Sequence, residues 1–217
     1  MEKDLKAQNA LPLTAIYAGT FVLVALVHWG VEKVFEYSDQ IGQQALMVAA
    51  ITAFGGALSH VLPNNWKHPL VYWRLRNVLS GHRSRRICEK DPRLLPGDLQ
   101  RRWPALFLNE MTEDEQNGYW YKEIYRPVRN EPEVLQAHRS FLLFRDAATG
   151  LFLLLLGLLS WKVVGEAVPV ESVSMWSAGI LAGTFVLAAL AARQSGDRMV
   201  ANAVAVASRS DGGSEEG

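Results

Sequence analysis

The sequence predicts an all-α, polytopic membrane protein: four transmembrane helices arranged as two hairpins, with a helical cytoplasmic insert between spans two and three. Three observations carry that prediction. The hydrophobic content, 49% of 217 residues, is gathered in blocks instead of being spread along the chain. Four blocks, residues 11–29, 41–62, 147–164 and 173–192, each match the roughly 17 to 25 apolar residues that a spanning helix needs. Their apolar runs are continuous and lack the alternation of barrel strands, and in lipid only helices or closed barrels satisfy every backbone group.

Orientation follows from the basic residues. Formal net charge is zero, but the sorting is strong: residues 63–146 hold fifteen of the twenty-two Lys and Arg residues. The short connection 31–40 sets Glu32, Glu36 and Asp39 against Lys33, and residues 165–172 carry Glu166 and Glu171 with no base. Positively charged loops stay inside, so both termini and the long middle segment are expected in the cytoplasm of a cell (inner or plasma) membrane. Cys88, a single cysteine, forms no intramolecular disulfide and fits that reducing compartment.

Residues 1–62 form the first hairpin. MEKDLKAQNALPL shows no small-residue cleavage site after its apolar run, so a retained signal-anchor helix is expected. About ten residues join spans 11–29 and 41–62, which forces them antiparallel, and small residues such as Gly19, Ala25, Gly55 and Gly56 allow close backbone approach. Trp29 reads as an interface anchor, and His28 and His60 as interfacial hydrogen-bonding groups.

Residues 63–146 form the insert. After Pro63-Asn64-Asn65, the spacing of Val71, Leu75, Val78 and Leu79 predicts a helix opened by Pro69 and closed by Gly81. Tyr72 and Trp73 beside Arg74 and Arg76 suit a helix at headgroup level. Arg74, Arg76, His82, Arg83, Arg85 and Arg86 are the candidate contacts to anions or headgroups, although the positive-inside bias alone produces such runs. From Trp66 to Arg102, ten bases face three acids; from Asn109 to Glu133, seven acids face three bases, so the two halves are complementary.

Thr112-Glu113-Asp114-Glu115 is a capping box that starts a helix running to Arg126. It pairs Trp120 with Ile124 and Tyr121 with Tyr125 at four-residue spacing. Trp120, Tyr121 and Tyr125 are candidate partner contacts or a stacking platform for a nucleotide ring; a small hydrophobic core is the preferred reading. Asn130 to Pro132 starts a second helix, unbroken to Gly150, and a single helix from Glu131 to Val164 is predicted, roughly 45 to 50 Å long. It would act as a lever between insert and bilayer.

Arg145 and Asp146 stand where that helix turns apolar. Neighbouring helix positions diverge by about 100°, and neither residue has an opposite charge three or four positions away. A charge deep in lipid costs about 2.5 to 3.5 kcal/mol, so partners are expected elsewhere. The candidate inner-mouth network is His60, Asn64, Arg145, Asp146, Arg193 and Asp197, with Asn65 and Arg198 nearby; snorkelling to headgroups weighs equally. Residues 147–192 make the second hairpin, where Gly179 and Gly183 form a GxxxG match. Residues 193–217 read as a cytoplasmic tail: MVANAVAVAS can extend a helix, and SRSDGGSEEG reads as disordered.

No HExxH, CxxC pair, phosphate loop, dinucleotide fingerprint or nucleophile elbow is present, so no catalytic residue, cofactor or metal site is predicted. The basic face is offset by a nearby acidic one, which argues against nucleic acid. RNVLSGHRS, DPR, EQNGYWYKEIYR and AHRSFLLFRD, within residues 74–146, resemble a pattern of uncharacterised bacterial multi-span inner-membrane proteins; the resemblance implies no activity. The expected function is that of a non-enzymatic, self-associating membrane anchor or effector. Its cytoplasmic segment binds a protein partner or ligand, and its surroundings are the lipid bilayer and anionic headgroups. A channel or transporter is the alternative, and a membrane-embedded enzyme ranks third.

Overall fold

The computed structural model describes residues 5, 7–30, 57, 62–108, 110–165 and 174–210. All regular structure among the described residues is helical. Among the described residues, the α-helices of four residues or more are α1 (Ala10–Trp29), α2 (Asn64–Tyr72), α3 (Ser84–Lys90), α4 (Pro96–Arg102), α5 (Pro104–Phe107), α6 (Glu113–Tyr119), α7 (Pro132–Gly165) and α8 (Met175–Ser210). Three are long and apolar enough to cross a membrane, over Ala10–Val27, Pro132–Ser160 and Met175–Arg209. The expected second span, 41–62, falls outside the described residues apart from positions 57 and 62, and so do His60, the connection 31–40 and most of 165–172.

The chain divides into two compact units, one of residues 1–67 with 142–190 and one of residues 68–141 with 191–217. In the first, the inward faces are narrow and small-sided: Tyr17 and Ala25 of α1, Ala147, Ala148 and Leu151 of α7, and Leu181, Ala188 and Ala189 of α8 are buried. Phe152 and Phe185 pack ring to ring with centroids 5.6 Å apart. Val22, Leu23, Leu156 and Leu187 point outward instead, a distribution at home in hydrocarbon and a liability in water. Helix α7 runs unbroken, the single long helix that the sequence predicts. It begins at Pro132, whose missing N–H costs nothing in a first turn.

The second unit has a core of its own, in which Cys88, Leu99, Leu106, Ile124, Val134 and Val204 are among the most buried members. Residues 193–210 extend a helix, as MVANAVAVAS suggests: α8 continues to Ser210, and it places Val200, Ala203, Val204 and Ala207 in that core. The physical reason lies in MVANAVAVAS, too apolar to be left in water once another apolar surface is available. The capping box is present, with Glu115 N–H donating to Thr112 Oγ1 at 3.3 Å and Thr112 N–H to Glu115 Oε2 at 2.8 Å. The Thr112 N–H and the Thr112 hydroxyl, which also donates to Glu115 Oε2 at 2.8 Å, hold the Glu115 carboxyl below its ordinary value. Beyond α6 the helix widens into a π turn, Trp120–Tyr125, which aligns residues five apart. Trp120 and Tyr125 thereby stack with centroids 5.1 Å apart.

The helix expected over Pro69–Gly81 is corrected. Helix α2 starts earlier, carries Pro69 inside it and stops at Tyr72, because Trp73 turns to a left-handed backbone at φ 52°. Asn77 repeats that conformation at φ 49°, and residues 73–79 form a loop. Each such non-glycine residue costs roughly 1–2 kcal/mol, so tertiary contacts must hold the loop. Arg193 Nε donates to Val71 O at 2.7 Å, capping the last turn, and its guanidinium lies 3.8 Å from the Trp73 ring centroid. Helical periodicity was present in the sequence, but a cation distant in the chain ends the helix.

Candidate functional site

In the first unit, the charged pair at the start of the apolar part of α7 is buried and joined by a third charge. Lys67 Nζ lies 3.2 Å from Asp146 Oδ1, and Arg145 reaches the same oxygen through Nε at 3.0 Å and Nη2 at 2.9 Å. The three side chains are at most 8% exposed. Asp146 has a partner distant in the chain, Lys67, and, against the expectation drawn from the 100° divergence of neighbouring positions, Arg145 reaches its carboxylate as well. Backbone groups join in, with Thr149 Oγ1 donating to Arg145 O at 2.8 Å and the Tyr17 hydroxyl to Asp146 O at 3.2 Å. Asp146 thus ties α2 to α7 through its carboxylate and α1 to α7 through its backbone carbonyl.

The predicted six-residue network separates into parts. Arg145 and Asp146 belong to this cluster; Asn64 is exposed, and His60 lies outside the described residues. Arg193 and Asp197 serve the second unit. Besides its contacts to Val71 and Trp73, Arg193 shares that unit with a buried hydrogen-bond chain. Ser80 Oγ donates to Asp197 Oδ1 at 2.6 Å, and Tyr72 Oη stands 2.8 Å from the same hydroxyl. Burial pushes the Tyr72 phenol up to about 12. Gly196 makes room: a Cβ there would overlap the Tyr72 hydroxyl and come within 2.8 Å of Ser80 Oγ.

The basic candidates do not converge on one anion site. His82 Nε2 meets Asp114 Oδ1 at 3.2 Å, Arg85 pairs with Glu89 at 3.0 Å, and Arg83 Nη1 donates to Asn77 O at 3.4 Å while lying over the Tyr72 ring. Arg74, Arg76 and Arg86 are exposed. The complementary halves dock within the chain, since the 3-10 turn Ser80–Arg83 packs on α6. Gly81 lies so close to Asn117 and Trp120 that a Cβ would overlap the Asn117 amide. Of the aromatic candidates, Trp120 and Tyr125 are core residues, and Tyr125 Oη is 2.9 Å from His138 Nδ1. Tyr121 is half exposed and stacks on Tyr125 with centroids 5.6 Å apart.

Sequence reasoning missed Lys67 and Tyr17. Lys67 looked like one more base in a basic segment; its signal was that Asp146 lacked a cation three or four positions away and that Lys67 lies five residues after a spanning block. Tyr17 was a polar-tipped aromatic amid aliphatic residues, and it also lines an apolar cavity of about 430 Å3 with Thr20, Phe21, Leu151, Leu154 and Gly157. Among the described residues no cluster of His, Cys, Asp or Glu could hold a metal ion. Cys88 is buried, and its thiol is pushed up to about 12, first by desolvation and then by Asp91 and Glu89, so it is not a nucleophile at neutral pH. Comparison with family models, curated proteins and solved structures finds no match.

Proposed function

We propose that this chain is a non-enzymatic integral membrane protein of the cell membrane, a self-associating anchor or effector. In this reading its helical cytoplasmic segment binds a protein partner and couples that event to a four-span bundle with both termini inside. The observation that carries the reading is α7, one uninterrupted helix whose residues 132–141 belong to the second unit and whose remainder belongs to the first. A continuous helix transmits a displacement along its axis, and the buried Asp146 cluster fixes its grip on α1 and α2. Gly179 and Gly183 have open space where a Cβ would stand, room for a second helix to approach. Tyr121, half exposed beside a rigid aromatic core, is the side chain best suited to meet a partner.

The test has two arms. Gln100→Cys places a reactive thiol on an exposed helix position; the native Cys88 is buried and serves as the silent background. Protection from an impermeant maleimide in intact cells, with labelling after lysis, is expected; labelling in intact cells overturns the orientation. A photo-crosslinking residue at Tyr121 is expected to give a discrete adduct with a protein in the membrane fraction, and its absence removes the partner. The cavity in the first unit is lined almost entirely by apolar groups, which lends no support to an aqueous path. Ion flux through purified protein in liposomes would establish the channel reading in its place.

A further inference from the structure

The loop between α2 and the 3-10 turn presents Leu75 at 91% exposure, flanked by exposed Arg74 and Arg76. An isolated exposed leucine is ordinary, but three features set this one apart. First, the exposure is built. The loop is pinned by Arg193 on Val71 O and on the Trp73 ring, by Arg83 on Asn77 O, and by the chain from Tyr72 through Ser80 to Asp197. Two left-handed non-glycine residues, Trp73 and Asn77, bracket the tip, so an unfavourable backbone is held in order to turn an apolar side chain outward. Second, the charge is of one sign: no acidic residue occurs between Pro63 and Cys88. Third, Lys67, a short stretch upstream on α2, belongs to the unit with the membrane-spanning helices.

We infer that residues 73–76 form a preorganised membrane-contact tip, in which Leu75 enters the acyl boundary of an anionic leaflet while Arg74 and Arg76 engage lipid phosphates. An apolar side chain between two guanidinium groups suits that boundary, where each cation strengthens partitioning about fivefold at an anionic surface. Trp73, with Arg193 over its ring, remains half exposed two residues before Leu75. The inference rests on the membrane reading above and adds to it a lipid-selective contact.

Leu75→Cys, labelled with an environment-sensitive fluorophore in the full chain, tests it in nanodiscs of phosphatidylcholine alone or mixed with phosphatidylserine. In the mixed lipid, blue-shifted emission is expected, with quenching by a spin label placed high on the acyl chain; in phosphatidylcholine, quenching should be several-fold weaker. Adding Arg74→Glu and Arg76→Glu should return the mixed-lipid signal to the phosphatidylcholine level. Equal quenching in both lipids overturns the anionic selection. Water-like emission in both overturns the contact, and a blue shift without lipid quenching assigns the tip to a protein surface instead. Failure to enter nanodiscs at all removes the membrane reading, an outcome visible before any spectrum is taken.

Discussion

The two units bury opposite kinds of polar chemistry. In the first, a full carboxylate sits between two full cations inside a surface of outward-facing Leu and Val. In the second, the buried polar chain runs through hydroxyls, Tyr72 to Ser80 to Asp197. Full ion pairs there, Arg85 with Glu89 and Arg93 with Asp91, are left largely to the surface. The same helix shows the inversion within its own length: Trp176 and Leu187 of α8 are exposed, whereas Ala192, Val200 and Val204 farther along are buried. The difference teaches that exposure of apolar groups is not itself a defect; it marks which solvent each stretch was composed for. Charges are kept inside only where they tie helices together.

Four outcomes would break or sharpen this contrast. Asp146→Ala leaves Lys67 and Arg145 buried without their shared carboxylate and should destabilise the first unit by about 3–5 kcal/mol, read by reversible unfolding in detergent. Asp197→Ala, the same exchange in the second unit, should cost less, about 1–3 kcal/mol, because a hydroxyl and not a cation loses its partner. Equal losses would erase the distinction. Gly196→Ala should cost about 1–3 kcal/mol through its overlap with Tyr72 and Ser80. Gly183→Ala, with open space around it, should be neutral or slightly stabilising in the same assay.

Alkaline unfolding probes the second unit, which holds both Cys88 and Tyr72. Cys88 rises from 9.0 when unfolded to about 12 when folded, and Tyr72 from 10.0 to about 12. Above pH 9 the unfolded chain releases protons that the folded chain keeps. Stability is therefore fully present below that pH and falls as pH rises toward 12, by up to about 1.4 kcal/mol per pH unit for each group. Cys88→Ala should flatten that slope, and an unchanged slope would show the thiol to be open to solvent. Among the substitutions that remove a contact, the smallest effect is expected for Tyr17→Phe, which removes one interhelical hydrogen bond worth about 0.6 kcal/mol.

What was legible in the sequence was local or long. The capping box at Thr112 and the start of α7 at Pro132 depend on residues within one turn, and three apolar blocks announce themselves by length. Most of the misreadings involve contacts distant in sequence; the contact of Arg145 with its neighbour Asp146 is the local exception. Residues 73–79 have helical spacing, yet Arg193 ends the helix more than a hundred positions away in the chain. Residues 193–210 looked peripheral because their neighbours in the core are Cys88, Ile124 and Val134. The candidate network was half legible: the unmet need of Asp146 could be read, but its donor, Lys67, was hidden among ordinary bases.

The late arrival of the α8 extension bears on how the protein is made. Residues 68–141 leave the ribosome long before Val200, Ala203 and Val204, which complete their core. During synthesis the core of the second unit is therefore complete only once α8 has been translated. A chain that stops short of Ala191 lacks Val200, Ala203, Val204 and Ala207, and with them one side of that core.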